Sequence, residues 1–500
     1  MGYVLGIDLG TSSLKGLIMN KAGQLVAEAS AEYRIDSPAP GFSEQHPEYW
    51  VIAFEEVITK LSFDVADFSA ELEAISFSGQ MHSLVTLGEN NEVVYPAILW
   101  NDVRTTKQCA EIMEQLGDQL KEITKNIVLE GFTLPKILWL QQNKPEIWAK
   151  VLKIMLPKDY LAFVLTGNMA CEYSDAAGTS LFDIEKHEWS TAICDKFEID
   201  KDILPGVVAS LEQVGVVNEV YANRFGLKQD VKVFAGGADN ACAALGAGIV
   251  NEDYALVSLG TSGVFSSFEP EIVNYQGKLH FFNHVIPDVY YSMGVTLAAG
   301  NSLNWFKNTF GRGLGFNELL ADVHTVAPGS EGLLFTPYIV GERTPHIDSK
   351  IRGSFIGIDT RHELKHFARA VLEGITFSLK DAQVLMETAK NKKFKQIISV
   401  GGGARNTDWM QMQADIFDAE IIRLEVEQGP GVGACMIAAV GNAWFTDFES
   451  CRDTFVQYQK ETFKPKKENV ANYEKLYEVY TEVYPATKNI CATLTGFGEI

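Results

Sequence analysis

The chain has 500 residues, 46% hydrophobic and 21% charged, which gives each half enough apolar material for a core of its own. A formal charge of −23 excludes wrapping nucleic acid or an anionic membrane, because phosphate contacts there need clustered Lys and Arg. No apolar run approaches the ~18 residues of a membrane span. The seven cysteines form no Cys-x-x-Cys pair, so reduced thiols and a cytoplasmic location are expected.

Residues 3–35 read as three strands joined at Gly10 and at the Lys21-Ala22-Gly23 turn, a β-meander ended by Pro38, Pro40 and Gly41. His46-Pro47-Glu48 opens a helix, with proline at its first position and Trp50, Phe54, Val57, Ile58 and Leu61 on one face. Ala74–Phe77 is a short strand delivering Ser78-Gly79-Gln80-Met81-His82 at its end, and Val93–Trp100 is another leading to Asn101-Asp102-Val103-Arg104. Residues 105–230 read as mostly helical, and the boundary between halves falls near Gly248 to Asp253. Thr360-x-x-Glu363 has the form of a capping box for a long helix, with Leu364, Phe367, Ala368, Val371, Leu372 and Ile375 facing inward. Strands alternating with helices define an α/β class, in which ligands collect at strand carboxyl ends and domain interfaces.

Two internal repeats organise this chain. Leu-Gly-Thr-Ser occurs at 9–12 and again at 259–262, each copy after an apolar strand. A glycine turn followed by two hydroxyl residues gathers backbone N–H and O–H donors into one concavity, a way to hold phosphate oxygens. Asp8 precedes the first copy, whereas Ser258 precedes the second. Gly236-Gly237-Ala238-Asp239-Asn240-Ala241-Cys242 and Gly429-Pro430-Gly431-Val432-Gly433-Ala434-Cys435 form a second pair at constant offset. Both suit small-residue helices that pack closely, but an acid inside the first such run needs a reason. For Asp239 the reading stays open between a helix N-cap and a catalytic carboxylate.

Two phosphate hairpins, the lone Asp8 and the turn Gly401-Gly402-Gly403-Ala404 after Ile397–Val400 resemble the actin, sugar-kinase and heat-shock ATPase superfamily. Gly131-Phe132-Thr133-Leu134-Pro135-Lys136 through Asn143, and Gly353–Ile358 with His366–Glu373, resemble the two signatures of the FGGY family of carbohydrate kinases. The likeness covers residues 3 to about 445. It implies a duplicated actin-like, ribonuclease H-like ATPase fold, with domains at 1–248 and 249–500 around a nucleotide cleft. ATP and Mg2+ are the implied cofactors. The signature residues themselves are expected to be packing elements.

Ser78–His82, Leu99–Thr105, Leu156–Leu161, Gly236–Asn240 and Gly341–His346 resemble the branch of that family that phosphorylates xylulose. The implied reaction makes D-xylulose 5-phosphate in pentose catabolism. Two positions depart from that branch: Ser83 stands where a small residue such as Gly is usual, and Ala238 replaces a third glycine. Met-His-Ser also resembles gluconate-phosphorylating members, so gluconate remains the first alternative. An actin-like ATPase switch without a small acceptor is the alternative of another class.

The resemblance also assigns roles. Asp239 becomes the general base and a metal-side carboxylate, Asp8 the residue that manages magnesium, and Met81, His82 and Asn240 the sugar contacts. Thr11, Ser12 and Lys15 fall on the first phosphate loop and Thr261 on the second, with Gly300, Asn304, Gly402, Gly403 and Asn406 on the adenosine side. Trp100, Asp102 and Arg104 are expected to line or shape the sugar pocket. The implied partners are a small sugar and ATP, with no nucleic acid and no membrane; a homodimer stays open.

Overall fold

Three strands of the first sheet end at one edge, and that convergence builds the site. In this computed structural model, which describes residues 2–497, β1 (Tyr3–Leu9) runs antiparallel to β2 (Ser13–Asn20), and β2 to β3 (Leu25–Glu32). The outermost residues of the expected domain ranges, 1 and 498–500, lie outside the described residues. β4 (Leu72–Gly79) lies parallel to β1, with Asp8 opposite Ser78 and Leu9 opposite Gly79. The other side of β4 pairs with β6 (Lys232–Phe234), flanked by β5 (Gln213–Val216), and with the short β7 (Gly237–Ala238). Parallel strands share direction, so the residues after β1, β4 and β7 emerge side by side.

The helix opened by Pro47 covers this sheet as α1 (Glu48–Asp64), burying Trp50, Ala53, Phe54, Val57, Ile58 and Leu61. Phe54, Val57, Ile58 and Leu61 are each worth about 1.5–3 kcal/mol over exposure. Pro47 occupies the N-cap position rather than the first helical turn.

The second half repeats the plan. β8 (Tyr254–Leu259) is antiparallel to β9 (Gly263–Glu269), β9 to β11 (Tyr290–Thr296), and β10 (His280–Asn283) edges β11. On its other side β8 is parallel to β12 (Gln396–Gly401), which is parallel to β13 (Glu420–Arg423). Leu259 sits opposite Gly401, which brings the Gly260-Thr261 hairpin beside the Gly402-Gly403 turn.

The small-residue runs are crossing helices, each carried into the partner half. α2 (Asp239–Gly246) places Ala244 against Leu256 and Ile398 of the second sheet, while α4 (Pro430–Gly441) lies on β1 and hydrogen-bonds Leu17 O from Cys435 Sγ. At the crossing, a Cβ on Gly433 would stand 2.1 Å from the Cys242 carbonyl oxygen, so only glycine lets the backbones approach this closely.

Two local expectations are corrected. The long helix α3 (Leu364–Lys390) is capped by Glu363 and His366, not from Thr360: the Glu363 N–H donates to His366 Nδ1 at 2.9 Å. Asp359 instead turns back on Arg361, so the chain becomes helical only after Glu363. Leu364 is 37% exposed because it sits before the helix meets the core; Ala368, Val371, Leu372 and Ile375 are buried as expected. All seven cysteines are free and buried. Among the described residues, no helix is long and apolar enough to cross a membrane.

Candidate active site

Asp8, the Met81-His82 segment and Asp239 meet at the shared edge of β1, β4 and β7. Asp8, next to the end of β1, sits opposite Lys15, and burial together with the nearby Asp239 pushes its carboxyl pKa up to about 7. Asp239 opens α2, where Ala238 takes the N-cap place. Its Oδ1 accepts the Asn240 N–H at 2.7 Å and Asn240 Nδ2 at 2.9 Å. It therefore performs no N-cap bond of its own, and Oδ2 has no hydrogen-bond donor among the described residues. Burial raises this carboxyl to about 6, against the pull of the two Asn240 donors.

His82 adopts the left-handed backbone region at φ 67°, a strained setting for a non-glycine residue. Four contacts hold it there. Its ring stacks on Phe132 at 4.5 Å, its carbonyl accepts Thr133 Oγ1 and Lys136 Nζ, each at 2.9 Å, and its Nδ1 lies 2.6 Å from Gly178 O. A carbonyl only accepts, so Nδ1 carries the proton. Burial lowers the ring pKa to about 3, which leaves a neutral imidazole with Nε2 as an acceptor. The Gly131–Asn143 signature, expected to be packing, thus supplies Phe132, Thr133 and Lys136 to position His82.

Met81 is buried, and its thioether receives Tyr291 Oη at 3.8 Å and Asn240 Nδ2 at 3.9 Å. Tyr291 belongs to β11 and Phe282, 6.2 Å from the His82 ring, to β10. The strand-end cluster is therefore walled by the second half as well as the first. Neither residue carried a sequence signal, because both read as ordinary aromatic strand positions.

Ser83 follows this segment in the chain. Its Oγ accepts the Trp100 N–H at 3.1 Å and lies 3.4 Å from both the Met81 carbonyl oxygen and Gln80 Oε1, and the residue is fully buried, so its hydroxyl is spent on the protein's own groups. Trp100 instead sends its indole N–H to Thr11 Oγ1 at 2.8 Å. Asp102 and Arg104, expected to line or shape the sugar pocket, are buried: Asp102 accepts the Ser43 N–H at 2.6 Å, and Arg104 pairs with Asp102 and Glu44 while lying over Phe42. That buried pair braces the loop behind the site.

The second half holds a cavity of about 590 Å³. It is lined by Thr261, Gly300, Asn304, Gly402, Gly403 and Asn406, the six expected nucleotide residues of that half, together with Asn301, Phe316, Arg405 and Trp409. Its volume and apolar walls with a few polar groups suit a small organic ligand. Asn406 also caps the helix Thr407–Phe417, its Oδ1 accepting the Trp409 N–H at 2.8 Å. Thr11 and Ser12 form the first hairpin, outside this cavity, and Lys15 is tied to Glu28 at 3.0 Å and to Gln428.

A sequence profile of the FGGY family of carbohydrate kinases, N-terminal domain, matches residues 3–246, and the C-terminal domain profile matches residues 255–442. The chain belongs to the FGGY family of carbohydrate kinases. It is 64% identical over 499 residues to the xylulose kinase of Lactococcus lactis, covering 100% of both chains. A solved "xyloylose kinase" from Brucella ovis superposes with a TM-score of 0.92 at 34% identity, over 98% of this chain and 100% of that one. A gluconate kinase from Lactobacillus acidophilus also gives 0.92, at 27% identity over 99% of each chain. The backbone of an FGGY kinase is thus shared across sugars, and side chains must choose among them.

Proposed function

We propose that this FGGY kinase transfers the γ-phosphoryl group of ATP to the 5-hydroxyl of D-xylulose. The observation that carries the reading is the convergence of Asp239, with one unbonded carboxylate oxygen, and the His82 Nε2 acceptor at one strand edge. The 64% identity to a xylulose kinase over the whole chain supports xylulose as the acceptor.

In this reading Asp239 Oδ2 takes the hydroxyl proton as the oxygen attacks phosphorus, while Asn240 holds Oδ1 and so aims the carboxylate. His82 Nε2 accepts a hydrogen bond from a second sugar hydroxyl. Thr11, Ser12 and Thr261 hold phosphate oxygens from the two hairpins, and the 590 Å³ cavity takes the adenosine end. Tyr291 and Phe282 exclude water from the acceptor side. Domains 1–248 and 249–500 then close on the substrates, with α2 and α4 as the crossing pair.

The residues fit a magnesium ion. Asp239 adds its charge to the burial that raises the Asp8 pKa, a repulsion that a divalent cation relieves. Among the described residues no closed cage of three or more His, Cys, Asp or Glu exists, as suits an ion held by one or two carboxylates plus phosphates. When bound, it neutralises phosphate charge. A cytoplasmic location follows from this chemistry on a cellular nucleotide. A homodimer is supported by Ile490, Leu494 and Phe497, 59%, 60% and 71% exposed along the last helix, and sedimentation at graded concentration tests it.

An ADP-release assay across xylulose, ribulose, glycerol and gluconate tests the function. Xylulose is expected to give the highest kcat/KM. Preference for gluconate would move the chain to the alternative branch, and ADP release without any acceptor at the full rate would favour an ATPase switch.

A further inference from the structure

Behind Asp239 lies a sealed group of charges that no step of the reaction uses. The side chains of Lys158, Glu172 and Asp175 are 0% exposed and that of Asp159 is 3% exposed. Lys158 Nζ stands 3.3 Å from Asp175 and 3.5 Å from Glu172, and it also pairs with Asp159. Burial raises the pKa values of Asp159 and Asp175 despite Lys158, while the three carboxylates raise that of Lys158 despite its burial. Such a cluster is weak evidence for stability, because well-packed apolar residues of the same volume often serve as well or better. Its value lies in what it holds.

Glu172 accepts four hydrogen bonds: from the Ser174 and Asp175 N–H groups, each at 2.8 Å, from Ser174 Oγ at 2.7 Å and from Ser210 Oγ at 3.0 Å. Ser174 Oγ, having given its one proton to Glu172, accepts the Ala238 N–H at 2.9 Å. Ala238 is the residue before Asp239. The Ser210 carbonyl accepts the Gly236 N–H at 3.2 Å, so the turn that presents Asp239 is gripped from behind at two peptides. Both grips run back to Glu172.

We infer that Glu172 and Ser174 are positioning residues for Asp239, fixing the peptide that aims its carboxylate. The inference rests on the reading of Asp239 as the base. A base displaced by about 1 Å loses on the order of 10²-fold in rate, whereas His82 and the nucleotide cavity are held by contacts outside this peptide.

The test is a double-mutant cycle in the full-length enzyme with xylulose and ATP. Ser174→Ala is expected to lower kcat by about 10-fold to 100-fold, with both KM values nearly unchanged. In the Asp239→Asn background the same substitution is expected to leave the residual rate unaltered, because the group it aims is gone. Ser174→Thr, which keeps the hydroxyl, is expected to regain rate over Ala. Glu172→Gln, which keeps the shape of the side chain, should repeat the cycle if Ser174→Ala does not fold. Equal losses in both backgrounds would mark a general structural role and overturn the inference. So would a wild-type kcat for Ser174→Ala beside a slow Asp239→Asn. Full turnover by Asp239→Asn would instead remove the base reading, and this inference with it.

Discussion

A Cβ placed on Gly178 would stand 2.7 Å from His82 Nδ1, closer than real Cβ atoms come to any neighbour. Gly178 therefore does two things for His82: its carbonyl fixes the tautomer, and its missing side chain leaves room for the ring. The same Cβ would lie 3.0 Å from Met81 Cε.

Gly178→Ala should thus push both expected sugar contacts at once. Overpacking of this kind costs about 1–3 kcal/mol, or about 5-fold to 160-fold in KM for xylulose if the whole cost falls on sugar binding, with KM for ATP nearly unchanged. Steady-state kinetics with each substrate varied will check it; a rise in KM for ATP alone would place the sugar elsewhere.

Asp8→Ala should raise the magnesium concentration needed for half-maximal rate by about 10-fold or more, with xylulose binding spared. The second hairpin has Ser258 at the equivalent place, so no carboxylate there substitutes. A magnesium titration indistinguishable from wild type would remove Asp8 from the metal side.

Glu342 gives a pH dependence of stability. Burial, against hydrogen bonds from Leu297 N, Arg343 N and Ser378 Oγ, raises its pKa from 4.5 to about 8. A carboxyl raised in the fold binds its proton more tightly there than in the unfolded chain. Its contribution is full below pH 4.5 and is lost as pH climbs to about 8. Glu342→Gln, a neutral isostere, should match wild type in Tm near pH 5 and exceed it by a few degrees at pH 8.5, on a scale of about 2–4 °C per kcal/mol. Parallel Tm curves for the two proteins would contradict this assignment.

Much of the fold was legible because it is local or repeated. The paired Leu-Gly-Thr-Ser hairpins, the 1–5 spacing of Trp50, Phe54 and Ile58 in α1, and the matched small-residue runs each carry their meaning within a few residues. The acid at Asp239 stood out because its repeat partner had lost it. The capping of α3 was misread because Asp359 prefers Arg361, a contest between turns that a four-residue pattern does not weigh. The supports of the site were hidden by distance along the chain. Gly178 meets His82 from 96 residues away, Tyr291 meets Met81 from 210, and Ser174 holds Ala238 from 64. Ser83 looked like a sugar-side change only until its hydroxyl was seen on Trp100.

In the proposed reaction Asp239 is the group that takes the proton of the acceptor hydroxyl. Rapid-quench single-turnover measurement with Asp239→Asn, saturated with ATP, magnesium and xylulose, isolates that step from binding and release. The account predicts a phosphoryl-transfer rate slower by about 10²-fold to 10⁴-fold, with xylulose and ATP still binding at near wild-type affinity. A single-turnover rate equal to wild type would contradict it.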